Sequence, residues 1–262
     1  MNYSGMIKYL PAVLLFCSCT ESGLLLRERE RFAVHFSASG IGMEVTTRAS
    51  SPLSDNTTLR ILAFRRVGQS PDLQADEYMG EGTYRASSGN GSLTPVHSLL
   101  LRAGSYDFYA LTPETATASG GGGSGIPGGG GGTTAPPYTV SVGHGMDYAT
   151  SLTAGRAVDE SNPSVPLNDL VRRCTRLVFE LSPKAGNIKK VRVASAGLTN
   201  MTAAPVAAPL NAELPLAGVA QSDGLTIAGG SFSPPDKDLN TSAAAVVLPR
   251  MAGKFDFELD VS

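Results

Sequence analysis

The stretch Lys254-Phe255-Asp256-Phe257-Glu258-Leu259-Asp260-Val261 alternates charged and apolar side chains without a break. Successive side chains of a strand point to opposite faces, so this spacing gathers the apolar groups on one face and the charges on the other. A helix of the same residues would scatter both kinds around its circumference. The stretch therefore predicts a β-strand well buried on one face. The same period recurs upstream. Phe32, Val34, Phe36 and Ala38 alternate with Ala33, His35 and Ser37; Tyr106, Phe108 and Ala110 follow the turn residues Ala103-Gly104-Ser105; Tyr138, Val140 and Val142 form a short strand. Leu177, Phe179 and Leu181 oppose Arg176 and Glu180, Val191 and Val193 oppose Lys190 and Arg192, and Val246-Val247-Leu248 precede Pro249. Leu59, Ile61, Leu62, Ala63 and Phe64 are apolar on both faces, as an interior strand requires. Short strands between clusters of Gly, Pro, Asn and Ser predict an all-β protein of sandwiches. No helical period persists beyond about two turns; Asn168–Arg173 reads as one helical turn.

Length and composition bound the rest. The 262 residues suffice for two ordinary domains, and a hydrophobic share of 42% supplies their cores. Lys+Arg 21 against Asp+Glu 23 leaves a net charge of −2, which excludes a basic nucleic-acid footprint over the whole chain. The glycine-rich segment Ser119–Pro137 cannot fold alone, because ordering glycine costs much backbone entropy and buries no side chain. It reads as a surface loop, with Tyr138–Val142 closing the first domain. The domains are expected at 31–155 and 156–262. Ser262 follows the last strand directly, so the second domain is expected to be truncated.

The N-terminus reads as a targeting segment. Lys8 precedes the apolar run Leu10-Pro11-Ala12-Val13-Leu14-Leu15-Phe16, which is shorter than a membrane span and suits the core of a signal peptide. Cys17-Ser18-Cys19 follows and resembles a bacterial lipobox. Residues 1–18 are then the signal peptide, Cys19 the lipidated residue, and 19–30 a tether. Cys17 is the alternative, although it would place bulky Phe16 where the peptidase takes a small side chain. Cys174 is left as a lone packed thiol, so no disulfide framework is available.

Catalytic and metal-binding patterns are absent from the sequence. His35, His97 and His144 are far apart, and no HExxH, CxxC or GxSxG occurs. His144 with Asp147 supplies two ligands, too few for a metal site. Gly120, Gly122 and Gly125 satisfy GxGxxG, but inside a glycine run and without a following helix that match implies no phosphate cradle. Asp76-Glu77 and Asp159-Glu160 read as solvated turns. The expectation is a non-enzyme without cofactor or metal.

Four passages in order carry a resemblance. They are Arg31–Ala38 with the loop Met43-Glu44-Val45-Thr46-Thr47-Arg48-Ala49 and strand Leu59–Phe64; Leu99–Ala110; Val171–Phe179; and Leu248-Pro249 followed by Gly253–Val261. Together with the lipoprotein signal they resemble the fimbrillin family, the type V pilus and Mfa-like minor fimbrium subunits of Bacteroidales. The resemblance implies two tandem transthyretin-like sandwiches in a lipoprotein at the cell outer membrane. It implies a surface-exposed structural or adhesive subunit of a fimbria, assembled by donor-strand exchange. In such subunits a protease cuts after an arginine in the loop behind the first strand. Here that cut falls between Arg48 and Ala49, and the removable strand is Phe32, Val34, Phe36 and Ala38 with their neighbours, close to an edge of the first sandwich. The implied partners are other fimbrial subunits joined by strand addition, the outer membrane through the lipid anchor, and a host or bacterial surface receptor. The alternative is a surface glycan-binding lipoprotein module of an uptake system. Sugars stack on aromatic platforms, and this chain has no Trp and aromatics at 6%.

Overall fold

A computed structural model describes residues 31–43, 53–73, 75–87, 91–113, 118–119, 139–184, 190, 192–210, 212–250 and 253–261. Among them the regular structure is strand, apart from a 3-10 turn at Gly229–Ser231. The central element is a seven-stranded sheet in the order Ile41–Met43, Leu170–Arg172, Ala149–Val158, Gly104–Thr112, Thr58–Arg65, Glu77–Ala86, Leu93–His97. All neighbours are antiparallel except the first two, which run parallel.

Both faces of this sheet are covered, which explains why Thr58–Arg65 carries apolar groups on both sides. Leu59, Ile61 and Ala63 enter one core, while Leu62 and Phe64 enter another. Gly104–Thr112 divides likewise, with Tyr106, Phe108 and Ala110 on one side and Tyr109 and Leu111 on the other. The first core is closed by Phe32–Ala33, antiparallel to Leu100–Leu101, and by His35–Ala38, parallel to Ser164–Leu167. The segments 35–43 and 164–172 keep one register, from His35↔Ser164 to Met43↔Arg172, while passing from this layer into the large sheet. The second core is covered by Thr139–Val142, which pairs with Val206–Pro209 on one edge and Ala118–Ser119 on the other.

A third core lies between two smaller sheets. Thr175–Leu181 pairs with Thr241–Val247, and Val193–Met201 pairs with both Asp223–Ala228 and Asp256–Val261. Ala196, Leu198, Ile227, Phe232 and Val247 are buried between them.

Several expectations change. The boundary at 155/156 falls inside the Ala149–Val158 strand, and strands up to Arg172 belong to the first sandwich. Residues 31–262 form one compact unit. Thr139–Val142 does not close the first sandwich; it pairs with Val206–Pro209 from the second half. Leu170–Arg172, read as part of a helical turn, is a strand because Ala149–Thr150 and Ile41–Met43 offer ladders on both sides. Most of the glycine-rich segment, 120–138, lies outside the described residues. The closing strand is also less covered than its alternation implies: Phe257 is 40% exposed and Val261 51%. Among the described residues it is paired along one edge alone, so its inner face looks partly onto solvent.

Candidate functional site

The element singled out by sequence is the strand at 32–38, and its environment is specific. Val34, Phe36 and Ala38 point inward and are buried, while His35 and Ser37 face out. Phe36 sits edge-on to Tyr84, with ring centroids 5.0 Å apart, and to Phe108 at 5.2 Å. Edge-to-face pairs of this kind add about 0.5–1.5 kcal/mol beyond area burial.

The strand is hydrogen-bonded on both sides, with one ladder and a few isolated bonds. The His35 N–H donates to Pro163 O at 2.9 Å on the side of Ser164–Leu167. On the other side Val34 N–H donates to Leu99 O at 3.0 Å and Ala38 N–H to Gly91 O at 2.8 Å. The ladder forms because the chain, after completing Ala149–Val158 in the large sheet, returns as the extended segment Ser164–Leu167 alongside His35–Ala38.

One side chain replaces a missing rung. The Tyr84 hydroxyl donates to Val34 O at 3.1 Å and accepts from Leu99 N–H at 2.9 Å. It thereby joins two backbone groups that the diverging strands leave apart. Burial pushes the Tyr84 hydroxyl above the ordinary tyrosine value, and the Leu99 N–H bond opposes that shift. Gly82 makes room for this arrangement. A Cβ there would lie 2.7 Å from the Tyr84 ring, 2.8 Å from His97 O and 2.9 Å from Leu99 N. Gly91, at φ +67°, makes the turn that brings its carbonyl to Ala38. Neither Tyr84 nor Gly82 stands out in the sequence. A tyrosine in a period-two run reads as core, and nothing local marks its hydroxyl as a bridge.

A second polar junction ties the two halves together. His144 Nε2 lies 2.9 Å from Thr202 O, and its Nδ1 accepts from Leu248 N–H at 3.2 Å. The second bond places the ring proton on Nε2, which donates to Thr202 O. Asp223 Oδ2 is 3.7 Å away. Read from sequence as a loop residue, His144 is a structural connector, and Asp147 is occupied instead with Arg172 at 2.6 Å. His35 and His97 are exposed. Cys174 is buried, and burial raises its thiol above the usual range. Among the described residues no group of three His, Cys, Asp or Glu side chains is placed to hold a metal, and no helix is long and apolar enough to cross a membrane. Cys19, Arg48 and Ala49 lie outside the described residues, so the expected lipidation and cut have no geometry here.

No protein-family profile matches the chain, and no curated protein sequence matches it. Solved structures do resemble it. A candidate cell adhesion protein from Bacteroides fragilis superposes with a TM-score of 0.58 at 16% identity, covering 88% of this chain and 83% of that one. A candidate cell adhesion protein from Bacteroides ovatus gives 0.50 at 12% identity, over 88% and 87%. The fimbrial anchor protein Mfa2 from Porphyromonas gingivalis gives 0.38 at 14%, over 88% and 78%. The chain thus shares an all-β sandwich fold with the two Bacteroides structures.

Proposed function

We propose that this protein is a structural or adhesive subunit of a cell-surface fimbria, brought to the outer membrane by lipid on Cys19 and then assembled by strand exchange. The observation that carries the reading is the seat of the 32–38 strand. It is a single segment from the start of the described chain, filling a core with Val34, Phe36 and Ala38 and paired along both edges. Withdrawing such a strand leaves an apolar trough flanked by two unpaired backbone edges. Any extended segment with apolar groups at alternate positions can refill it, with ladder bonds giving affinity and side-chain pockets giving register. A cut between Arg48 and Ala49 would free the strand, together with Cys19 and its lipid, from the rest of the chain, so the anchored form is the uncut one and exchange of the strand releases the body from the anchor. One acyl chain anchors only marginally, so stable attachment requires more than one.

Intact-mass analysis of the protein from its native membrane, before and after an arginine-specific protease, tests both parts. The expected result is a lipid-sized mass increment on Cys19, a cut after Arg48, and release of the strand upon addition of a synthetic peptide copying 32–38. Protection of Arg48 while other loop arginines are cut refutes strand exchange at this seat. An unmodified Cys19 refutes the anchor.

A further inference from the structure

We propose that the end of the seven-stranded sheet around Tyr106 binds an acidic polysaccharide, a linear glycan bearing carboxylate or sulfate groups, through the exposed side chains of Arg65, Arg102 and Arg156. The inference rests on the adhesive part of the reading above and names the chemistry of the receptor; it does not depend on strand exchange.

Register brings the three arginines together. Tyr106 is the partner of Arg65 on one neighbouring strand and of Arg156 on the other. Residues directly opposite in antiparallel strands turn their side chains to one face. Arg65, Tyr106 and Arg156 therefore form a row across adjacent strands. Strand spacing of about 4.7–4.9 Å sets the two arginine backbones about 10 Å apart. The register shift between Thr153 and Arg156, with Gly155 at φ +63°, puts Arg156 rather than Gly155 opposite Tyr106; bulges commonly re-aim a side chain in this way. Arg102 completes the group, because its carbonyl accepts from the Tyr106 hydroxyl at 2.8 Å. Burial pushes that hydroxyl above the ordinary tyrosine value, Arg65 and Arg102 oppose the shift, and Glu77 adds to it, so both guanidinium charges are felt at the ring oxygen. Tyr106 itself is buried in the first core, so the row offers charge and no aromatic platform.

These charges are uncommitted. All three arginines are exposed, and among the described residues none of them closes an ion pair. Arg60, Arg66 and Arg172 are by contrast paired with Glu81, Asp107 and Asp147. A guanidinium presents a fixed fork of donors that suits carboxylates and tetrahedral oxyanions.

The surroundings select the ligand. Glu77 stands across from Arg65, and Asp159 and Glu160 lie on the hairpin beyond Val158, where Asp159 accepts from Ser161 and Asn162. A flat anionic membrane laid on this end would meet those carboxylates together with the arginines, and repulsion would offset attraction. A linear chain spanning Arg65 to Arg156 meets the cations and reaches Glu77 only beyond them. The strands of the row are interior to the sheet and paired on both sides, so a peptide finds no backbone edge to join. A glycan needs none.

The test uses the full chain against polygalacturonate and dextran sulfate, with neutral dextran, polyglutamate, and vesicles of phosphatidylcholine with phosphatidylglycerol as comparators. Both acidic polysaccharides should bind, neutral dextran should not, and added salt should weaken binding. Arg65→Gln, Arg102→Gln and Arg156→Gln together should weaken it by about tenfold, since an exposed ion pair is worth a few-fold and three combine. Arg192→Gln, Lys237→Gln and Lys254→Gln, which remove the same charge elsewhere, should leave it nearly unchanged. In the unsubstituted protein the bound glycan should shield Arg65, Arg102 and Arg156 from phenylglyoxal, read by peptide mass; this readout stands even if the triple variant is less stable. No binding, equal binding of neutral dextran, equal loss in the second triple variant, or absence of shielding overturns the inference. Tighter binding of polyglutamate or of the vesicles through the same arginines also overturns it, since the occupant is then a peptide or a membrane. Glycan binding by a protein that does not exchange its first strand keeps this inference and sinks the assembly reading; strand exchange without glycan binding does the reverse.

Discussion

Replacing Tyr84 by phenylalanine deletes one oxygen and leaves the ring against Phe36. The oxygen is the sole difference, and it connects the Val34 carbonyl to the Leu99 N–H in a fully buried setting. Without it the donor and the acceptor lose their bridge, and a buried polar group left unpaired costs about 1–3 kcal/mol. The Phe36 edge contact at 5.0 Å survives, so the aromatic contribution stays. The expected loss is therefore about 2–4 kcal/mol, with the carbonyl the cheaper of the two groups because it has a second lone pair. Urea unfolding followed by far-ultraviolet circular dichroism gives the stability change, and hydrogen exchange at Leu99 locates it. The Leu99 amide should lose protection more than amides of the central strand Thr58–Arg65. A stability change below about 0.5 kcal/mol, or unchanged Leu99 protection, refutes the bridging role of the hydroxyl.

Other outcomes follow from the same geometry. Gly82→Ala drives a Cβ into the His97 carbonyl and the Leu99 nitrogen, so it should destabilise by about 1–3 kcal/mol, read as a lower thermal midpoint. His144→Leu removes the partner of Leu248 N–H and of Thr202 O; it should cost about 1–3 kcal/mol and raise exchange at Leu248. Burial raises Tyr84, Tyr106, Tyr109 and Tyr148 above the ordinary tyrosine value of 10.0. Folded values above unfolded ones give a stabilisation that is complete below about pH 10 and is lost as pH rises beyond it. An alkaline titration at the phenolate absorbance should therefore show these tyrosines ionising in one cooperative step with unfolding; independent ionisation near 10 in the folded protein would contradict their burial.

Local alternation made the strands legible. Phe32–Ala38 and Leu59–Phe64 follow the expected pattern, the continuous apolar run of Leu59–Phe64 marking a strand covered on both faces, whereas Tyr106–Ala110 forms the expected strand but is buried on both faces rather than one. Pairing was less legible. The parallel partnership of 35–43 with 164–172 joins segments with no local signature for each other, which is why the domain boundary is expected too early. Asn168–Arg173 is short enough that ladders on both sides override any local preference. Phe255–Val261 shows the converse limit: alternation tells which face seeks cover, not whether cover is present. The Tyr84 bridge and the His144 junction depend on single atoms meeting distant backbone, and no period encodes that.

The parallel pairing of 35–43 with 164–172 also has a kinetic meaning. During synthesis the first strand emerges early, yet one of its ladders cannot form until residues beyond 164 have followed. Contacts between such remote segments require closing a long loop first, and topologies rich in them fold slowly. The large sheet, whose central strands are joined by nearer antiparallel returns, can assemble in the meantime. For that interval the first strand lies on its core with the side later taken by Ser164–Leu167 still unpaired. Until that side is paired the strand is held by its core contacts and by the Leu99–Leu101 side alone, so the order in which segments emerge, as much as final stability, sets when the seat becomes secure.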